Sequence, residues 1–161
     1  MLAFGNISVY VFAMTQTSFL AVIRLLSAQA LLEQKFSQEL GSVHGLSLND
    51  SLLMMHLEQA PLLRLSRVDL AKRLCVSPST VTRMTLPLEK LGMLGREADA
   101  RDARLAYVTL TDTGRKVIGA ARQTLERKAK EVFKDRWSTE EIETLAGLLG
   151  RLTASQPNDL V

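Results

Sequence analysis

In LAKRLCVSPSTVTRMTLPLEKLGMLG, residues 70–95, one helix has to stop and another start within a few residues. Ser77 offers a hydroxyl that can accept a bond from a first-turn N–H. Pro78 follows at the first helical position, where its missing N–H costs nothing. Gly92 is placed to end that helix in a left-handed conformation. Only a tight turn is left between Leu74 and Ser77, so the pattern predicts a helix-turn-helix. Pro87 falls inside the second helix and removes the bond to the Arg83 carbonyl. That predicts either a bend that separates the first two turns from the last, or a plain kink that the helix tolerates.

After Gly92 the hydrophobic period changes. Leu94–Glu97 reads as a short strand, and Ala106, Val108 and Leu110 alternate with Tyr107 and Thr109 at strand spacing. A charged tip, Ala98–Arg104, lies between them, so the expectation is a β-hairpin and a winged helix-turn-helix. Elsewhere a helix-start signature recurs: Ser47 with Asp50, Ser66 with Asp69, and Ser138 with Glu141, each serine preceded by an apolar residue. These predict helices over 47–59 and 66–74 and a last helix after Ser138. The first helix is expected over 17–40 with its stop at Gly41. Thr111 caps a long fifth helix with an apolar seam of Ile118, Ala121, Leu125, Ala129 and Val132, and the last helix carries Ile142, Leu145, Leu149 and Leu152. The fold class is mainly α with a small β-hairpin wing.

Phe19–Leu32 is apolar nearly all round, with Arg24 its only charge, so this helix must be covered on more than one side. In a chain of 161 residues the second cover is expected to be another subunit. The organisation expected is therefore 1–16 an extension, 17–45 and 112–161 dimerisation helices, and 46–111 the winged region. Polar residues 15–18, Arg24 and the lack of a basic leader argue against a signal peptide or a membrane span. Met14 is expected to be the natural start. The single cysteine, Cys75, forms no internal disulfide, compatible with a reducing cytoplasm. Positive charge gathers in the middle: residues 64–104 hold 9 Lys and Arg against 5 Asp and Glu, whereas residues 1–63 hold 2 against 4. A local basic excess points to phosphate-bearing partners or to an ordinary solvated surface. No nucleophile–base pairing, phosphate loop or metal motif is present, which argues against an enzyme or a cofactor. His44 and His56 make no metal pair, and Met54 and Met55 read as core.

LAKRLCVSPSTVTRMTLPLEKLGML followed by DARDARLAYVTLTDTGR resembles the MarR/SlyA family of bacterial winged-helix transcription regulators over about residues 62–116. The family's wing motif is met by Asp102, Arg104, Val108, Leu110, Thr111 and Gly114, and its recognition-helix opening by Ser77, Ser79, Thr80, Val81, Thr82 and Arg83. The resemblance implies a cytoplasmic homodimer whose first, fifth and sixth helices interlock. It implies a roughly palindromic double-stranded DNA operator, usually a repressor's role, and release by a small, often aromatic, effector or an oxidant.

Under that reading the first turns of the recognition helix enter the major groove. Ser77, Ser79, Thr80, Thr82 and Arg83 suit that surface, because hydroxyls bond phosphates or base edges and an arginine forks onto guanine. No acid precedes Glu89 on this helix to repel phosphate. Arg104 is expected on the wing in a minor groove, with Arg101 beside it and Asp102 holding one of them. Arg64, Arg67, Lys72, Arg73 and Arg96 are phosphate candidates. Val81, Met84, Leu88 and Leu91 are expected to form the core face, and Cys75 to be a small, half-buried turn residue rather than a redox sensor. The rival reading is a winged-helix module that binds protein and reads no DNA. The effector's site residues are not assigned.

Overall fold

Serine and threonine caps divide the chain into its helices. The computed structural model describes residues 4–98 and 106–153, with residues 4–15 described by backbone only. The elements run α1 (Phe4–His44), α2 (Leu48–Gln59), a 3-10 turn (Pro61–Leu63), β1 (Arg64–Ser66), α3 (Arg67–Arg73), α4 (Pro78–Lys90), β2 (Leu94–Ala98), β3 (Ala106–Leu110), α5 (Asp112–Phe133) and α6 (Thr139–Thr153). Ser47 closes a full capping box on α2: its hydroxyl accepts from the Asp50 amide at 3.0 Å, and its own amide donates to the Asp50 carboxylate at 3.1 Å. Ser138 and Glu141 repeat the arrangement at 3.2 and 2.8 Å.

Two boundaries differ from expectation. The first helix neither starts near Thr17 nor stops at Gly41. It runs from Phe4 through Gly41 to His44. The left-handed residue is Gly45, at φ +67°, and its amide bonds to the Gly41 carbonyl at 3.2 Å, the closing bond of an αL cap. The sheet is three-stranded rather than a bare hairpin, in the order β1–β3–β2, all antiparallel. The strand not foreseen, β1, sets Leu65 opposite Val108 and so ties the start of α3 to the wing.

The core sits where α2, α3, α4, the sheet and the first half of α5 meet. Leu53, Met54, Leu57, Leu70, Val81, Leu88, Leu94, Val108, Leu110, Ile118 and Ala121 are all buried there. On α4 the core face is Val81, Met84, Thr85 and Leu88. Leu91, expected to be core, is 60% exposed just past the helix end. Thr85 takes the buried place instead, because its hydroxyl donates to the Thr82 carbonyl at 3.2 Å and so enters the core satisfied. Helix α4 continues through Pro87, which faces solvent.

The join between wing and α5 is tight. Thr111 caps α5, accepting from the Gly114 amide at 3.0 Å, while its Oγ1 lies 2.7 Å from the Gly92 carbonyl and 2.9 Å from the Met93 carbonyl. A Cβ on Gly114 would stand 2.1 Å from the Met93 oxygen, so only glycine fits. Apolar side chains remain uncovered at the chain's two ends: Phe19, Val22 and Leu26 on α1, and Leu148 and Leu152 on α6. Among the described residues no helix is long and apolar enough to cross a membrane.

Candidate nucleic-acid interface

The turn between α3 and α4 is built by backbone bonds that any sequence can make and one residue that pays for it. The Leu74 amide bonds to Leu70 at 2.9 Å and the Val76 amide to Ala71 at 3.0 Å, a Schellman closure. Its left-handed position, usually glycine, is Cys75 at φ +54°. Cys75 is exposed, not half-buried as expected: a left-handed Cβ points out of the turn, away from the core below it. Ser77 then opens α4, accepting from the Thr80 amide at 3.2 Å.

The first turns of α4 carry a connected set of hydroxyls. Ser77 Oγ lies 2.8 Å from Ser79 Oγ and 2.9 Å from Thr80 Oγ1. Thr82 Oγ1 donates to the Pro78 carbonyl at 3.1 Å. An Arg83 N–H points to Thr80 Oγ1 at 3.4 Å, and one from Arg67 points to Thr82 Oγ1 at the same distance. Ser77, Ser79 and Arg83 are exposed, and Thr80 and Thr82 half-exposed. A concavity of about 550 Å³ runs from the start of α3 across the start of α4 to β3, lined among others by Arg67, Ser79, Thr82 and Ala106. The structure thus brings Ser77, Ser79, Thr80, Thr82 and Arg83 together on one projecting, cation-bearing surface.

Arg96 lies outside that cluster. Its Nε is 2.8 Å from the Glu89 carboxylate on α4. Arg64 forms an ion pair with Glu97 and stacks over the Tyr107 ring at 4.6 Å. Lys72 is exposed on α3 and Arg73 half-buried. Arg101, Asp102 and Arg104 lie outside the described residues. The contacts that sequence reasoning did not anticipate are Arg67 with Thr82, Arg64 with Glu97 and Arg96 with Glu89. Each joins residues on different elements, and only the opposite-charge pattern of β2, Arg96-Glu97, hinted at any of them.

The perturbed titratable groups lie away from this face, mostly where α1 crosses α5. Arg127 hydrogen-bonds Glu39 at 2.5 Å and holds its carboxyl below the ordinary glutamate range, with Lys128 helping. Lys128, at 2.9 Å, does the same for Glu131, and both cations are pushed up in return. His44 Nε2 meets Thr124 Oγ1 at 2.9 Å across the same seam. A groove of about 450 Å³ here is lined by Lys35, Gln38, Glu39, Ser42, Lys128, Glu131 and Val132. Among the described residues no cluster of three or more His, Cys, Asp or Glu is placed to hold a metal ion.

Comparison with known proteins gives a consistent picture. Residues 46–105 match the family model of the MarR family. The HTH-type transcriptional regulator YdgJ of Bacillus subtilis is 35% identical over 88 residues, which is 55% of this chain and 53% of that protein. The chain therefore spans about half the length of this curated relative. Among solved structures, Sco3205 of Streptomyces coelicolor, a MarR family transcriptional regulator in complex with DNA, superposes with a TM-score of 0.76 at 26% identity, covering 88% of this chain and 90% of that one. The transcriptional regulator BldR of Sulfolobus solfataricus gives 0.69 at 27% identity, covering 85% and 96%.

Proposed function

Residues 46–105 are a MarR-family domain, and from that premise we propose that this chain is a sequence-specific DNA-binding transcription regulator acting as a homodimer on a palindromic operator. The observation that carries the reading is the projecting start of α4, where Ser77, Ser79, Thr80, Thr82 and Arg83 stand together with no acid on the helix before Glu89. A helix of this kind enters a major groove, its hydroxyls and backbone meeting phosphate and Arg83 reaching a base edge. Arg101 and Arg104 extend the contact from the wing into a flanking minor groove, Asp102 orienting them, and Arg96 lies at the wing's root. Sco3205, similar over most of its length, is a regulator solved with DNA, and supports the same use of this surface.

Two copies are needed to read a palindrome, and the exposed apolar faces of α1 and α6 are the surfaces that bring them together. In this reading the protein works in the cytoplasm as a repressor, and a small-molecule effector releases it from DNA. The test is a salt titration of binding to duplex DNA. Binding weakens with a log–log slope of about −0.9 per phosphate neutralised. Binding that is absent, or indifferent to salt, rejects the DNA reading and favours a protein-binding winged helix.

A further inference from the structure

The core holds β2 only at Leu94, whereas along β3 it reaches Val108. Arg96, Glu97 and Ala98 are exposed, so from Arg96 outward β2 is an edge strand with no buried residue of its own. β1 ends at Ser66, opposite Tyr107, so at the Ala98–Ala106 pair the sheet is down to two strands, and such an edge twists freely unless side chains restrain it. Two restraints are present, on adjacent residues. Successive strand residues point to opposite faces, and here Arg96 is paired in register with Val108 and Glu97 with Tyr107. On the core-side face, Arg96 ties to Glu89, 2.8 Å away on the last turns of α4. On the other face, Glu97 ties to Arg64 of β1. Arg64 is in register with Thr109, so its side chain crosses diagonally over Tyr107 to reach Glu97.

We propose that Glu89 and Glu97 are positioning residues for the wing: by pairing with Arg96 and Arg64 they grip β2 from both faces and fix the angle between the hairpin and α4. This rests on the DNA-binding reading above and adds to it. It gives Arg64 and Arg96 the work of struts, their charges already matched by acids, rather than of phosphate contacts. Exposed ion pairs add little to folding stability, so the restraint is separable from the fold. What the pairs do supply is a fixed distance between a major-groove helix and a minor-groove wing, without which both cannot seat on one duplex.

The experiment uses the full chain and the duplex that the wild type selects from a random-sequence pool, read by hydroxyl-radical footprinting and by affinity. Thermal melting checks that each variant is folded. The double variant E89Q/E97Q keeps protection of the half-site centres, loses protection of the flanks, and binds about tenfold more weakly, a 1.4 kcal/mol change. E97R alone, which sets like charges together, does the same, and R64E/E97R restores the flanks. Unchanged flanks, or tighter binding as acids are removed, overturns the proposal and makes Arg64 and Arg96 DNA contacts. A wild type that gives no footprint at all instead overturns the DNA reading on which the proposal rests.

Discussion

Replacing Gly114 with alanine adds a single methyl at the most crowded of the described glycines. The new Cβ would lie 2.1 Å from the Met93 carbonyl oxygen and 2.8 Å from Leu110 Cδ1. The leucine tip can rotate away, but the carbonyl belongs to the turn that ends α4. Restoring ordinary contact requires the start of α5 to move by about 1 Å, which falls at the upper end of overpacking, about 3 kcal/mol. The same movement stretches the Thr111 hydroxyl from the Gly92 and Met93 carbonyls and loses about 1 kcal/mol more. Alanine's better helix propensity returns about 1 kcal/mol. The net is about 3 kcal/mol of destabilisation. With a urea m-value of about 2 kcal/mol/M, the midpoint falls by about 1.5 M. The control lies on the same helix: at Gly119 a Cβ meets nothing within 4 Å, so G119A is expected to be neutral or to stabilise by up to about 1 kcal/mol. Urea unfolding followed by circular dichroism, at equal protein concentrations, measures both. A G114A midpoint within about 0.5 M of wild type would refute the claim that this contact fixes the wing to α5.

Three further outcomes follow from other parts of the molecule. L145D/L149D places two charges on the apolar face of α6, and light scattering at micromolar concentration should find a monomer where the wild type is a dimer. A monomeric wild type removes the basis for a palindromic operator. C75S, at an exposed turn residue held by its backbone, should bind DNA and respond to peroxide as the wild type does; loss of a peroxide response in the serine variant alone would make Cys75 a redox switch. The Glu39 carboxyl sits below its ordinary range because of Arg127, so the pair stabilises the fold fully above that range and loses its contribution as pH falls through the lowered value. E39Q should accordingly flatten the acid side of a plot of urea midpoint against pH, and an unchanged acid limb would show that the pair contributes nothing.

What the amino-acid sequence disclosed was the part of the structure decided within a few residues. Ser47 with Asp50, Ser77 with Pro78, Thr111 and Gly92 announce their caps because donor, acceptor and turn lie within one helical turn of each other. Strand β1 stayed hidden because three residues are too few to show alternation, and its partner lies about forty residues on, in β3. Gly41 misled because a glycine in mid-helix and a glycine at a helix end look alike until the backbone shows which one is left-handed, and here it is Gly45. Leu91 and Thr85 exchanged places because hydropathy ranks leucine above threonine, while burial depends on whether the threonine hydroxyl finds a carbonyl. At the candidate site the hydroxyls and Arg83 were evident from the start of α4. The pairing of Arg64 and Arg96 with acids was not, since it depends on which strand faces which.

The central claim is that the start of α4 reads bases. Binding-site selection from a random duplex pool, run on wild type, R83A and R104A with a salt series for each, tests it most directly. A bidentate arginine–guanine contact discriminates bases by about 1–3 kcal/mol. R83A is therefore expected to lose more affinity for the selected site than for random duplex and to relax one position in each half-site. R104A is expected to weaken both kinds of binding, lower the salt slope and leave the preferred half-site bases in place. The contrary result, a half-site altered by R104A and untouched by R83A, would contradict the assignment of α4 to the major groove.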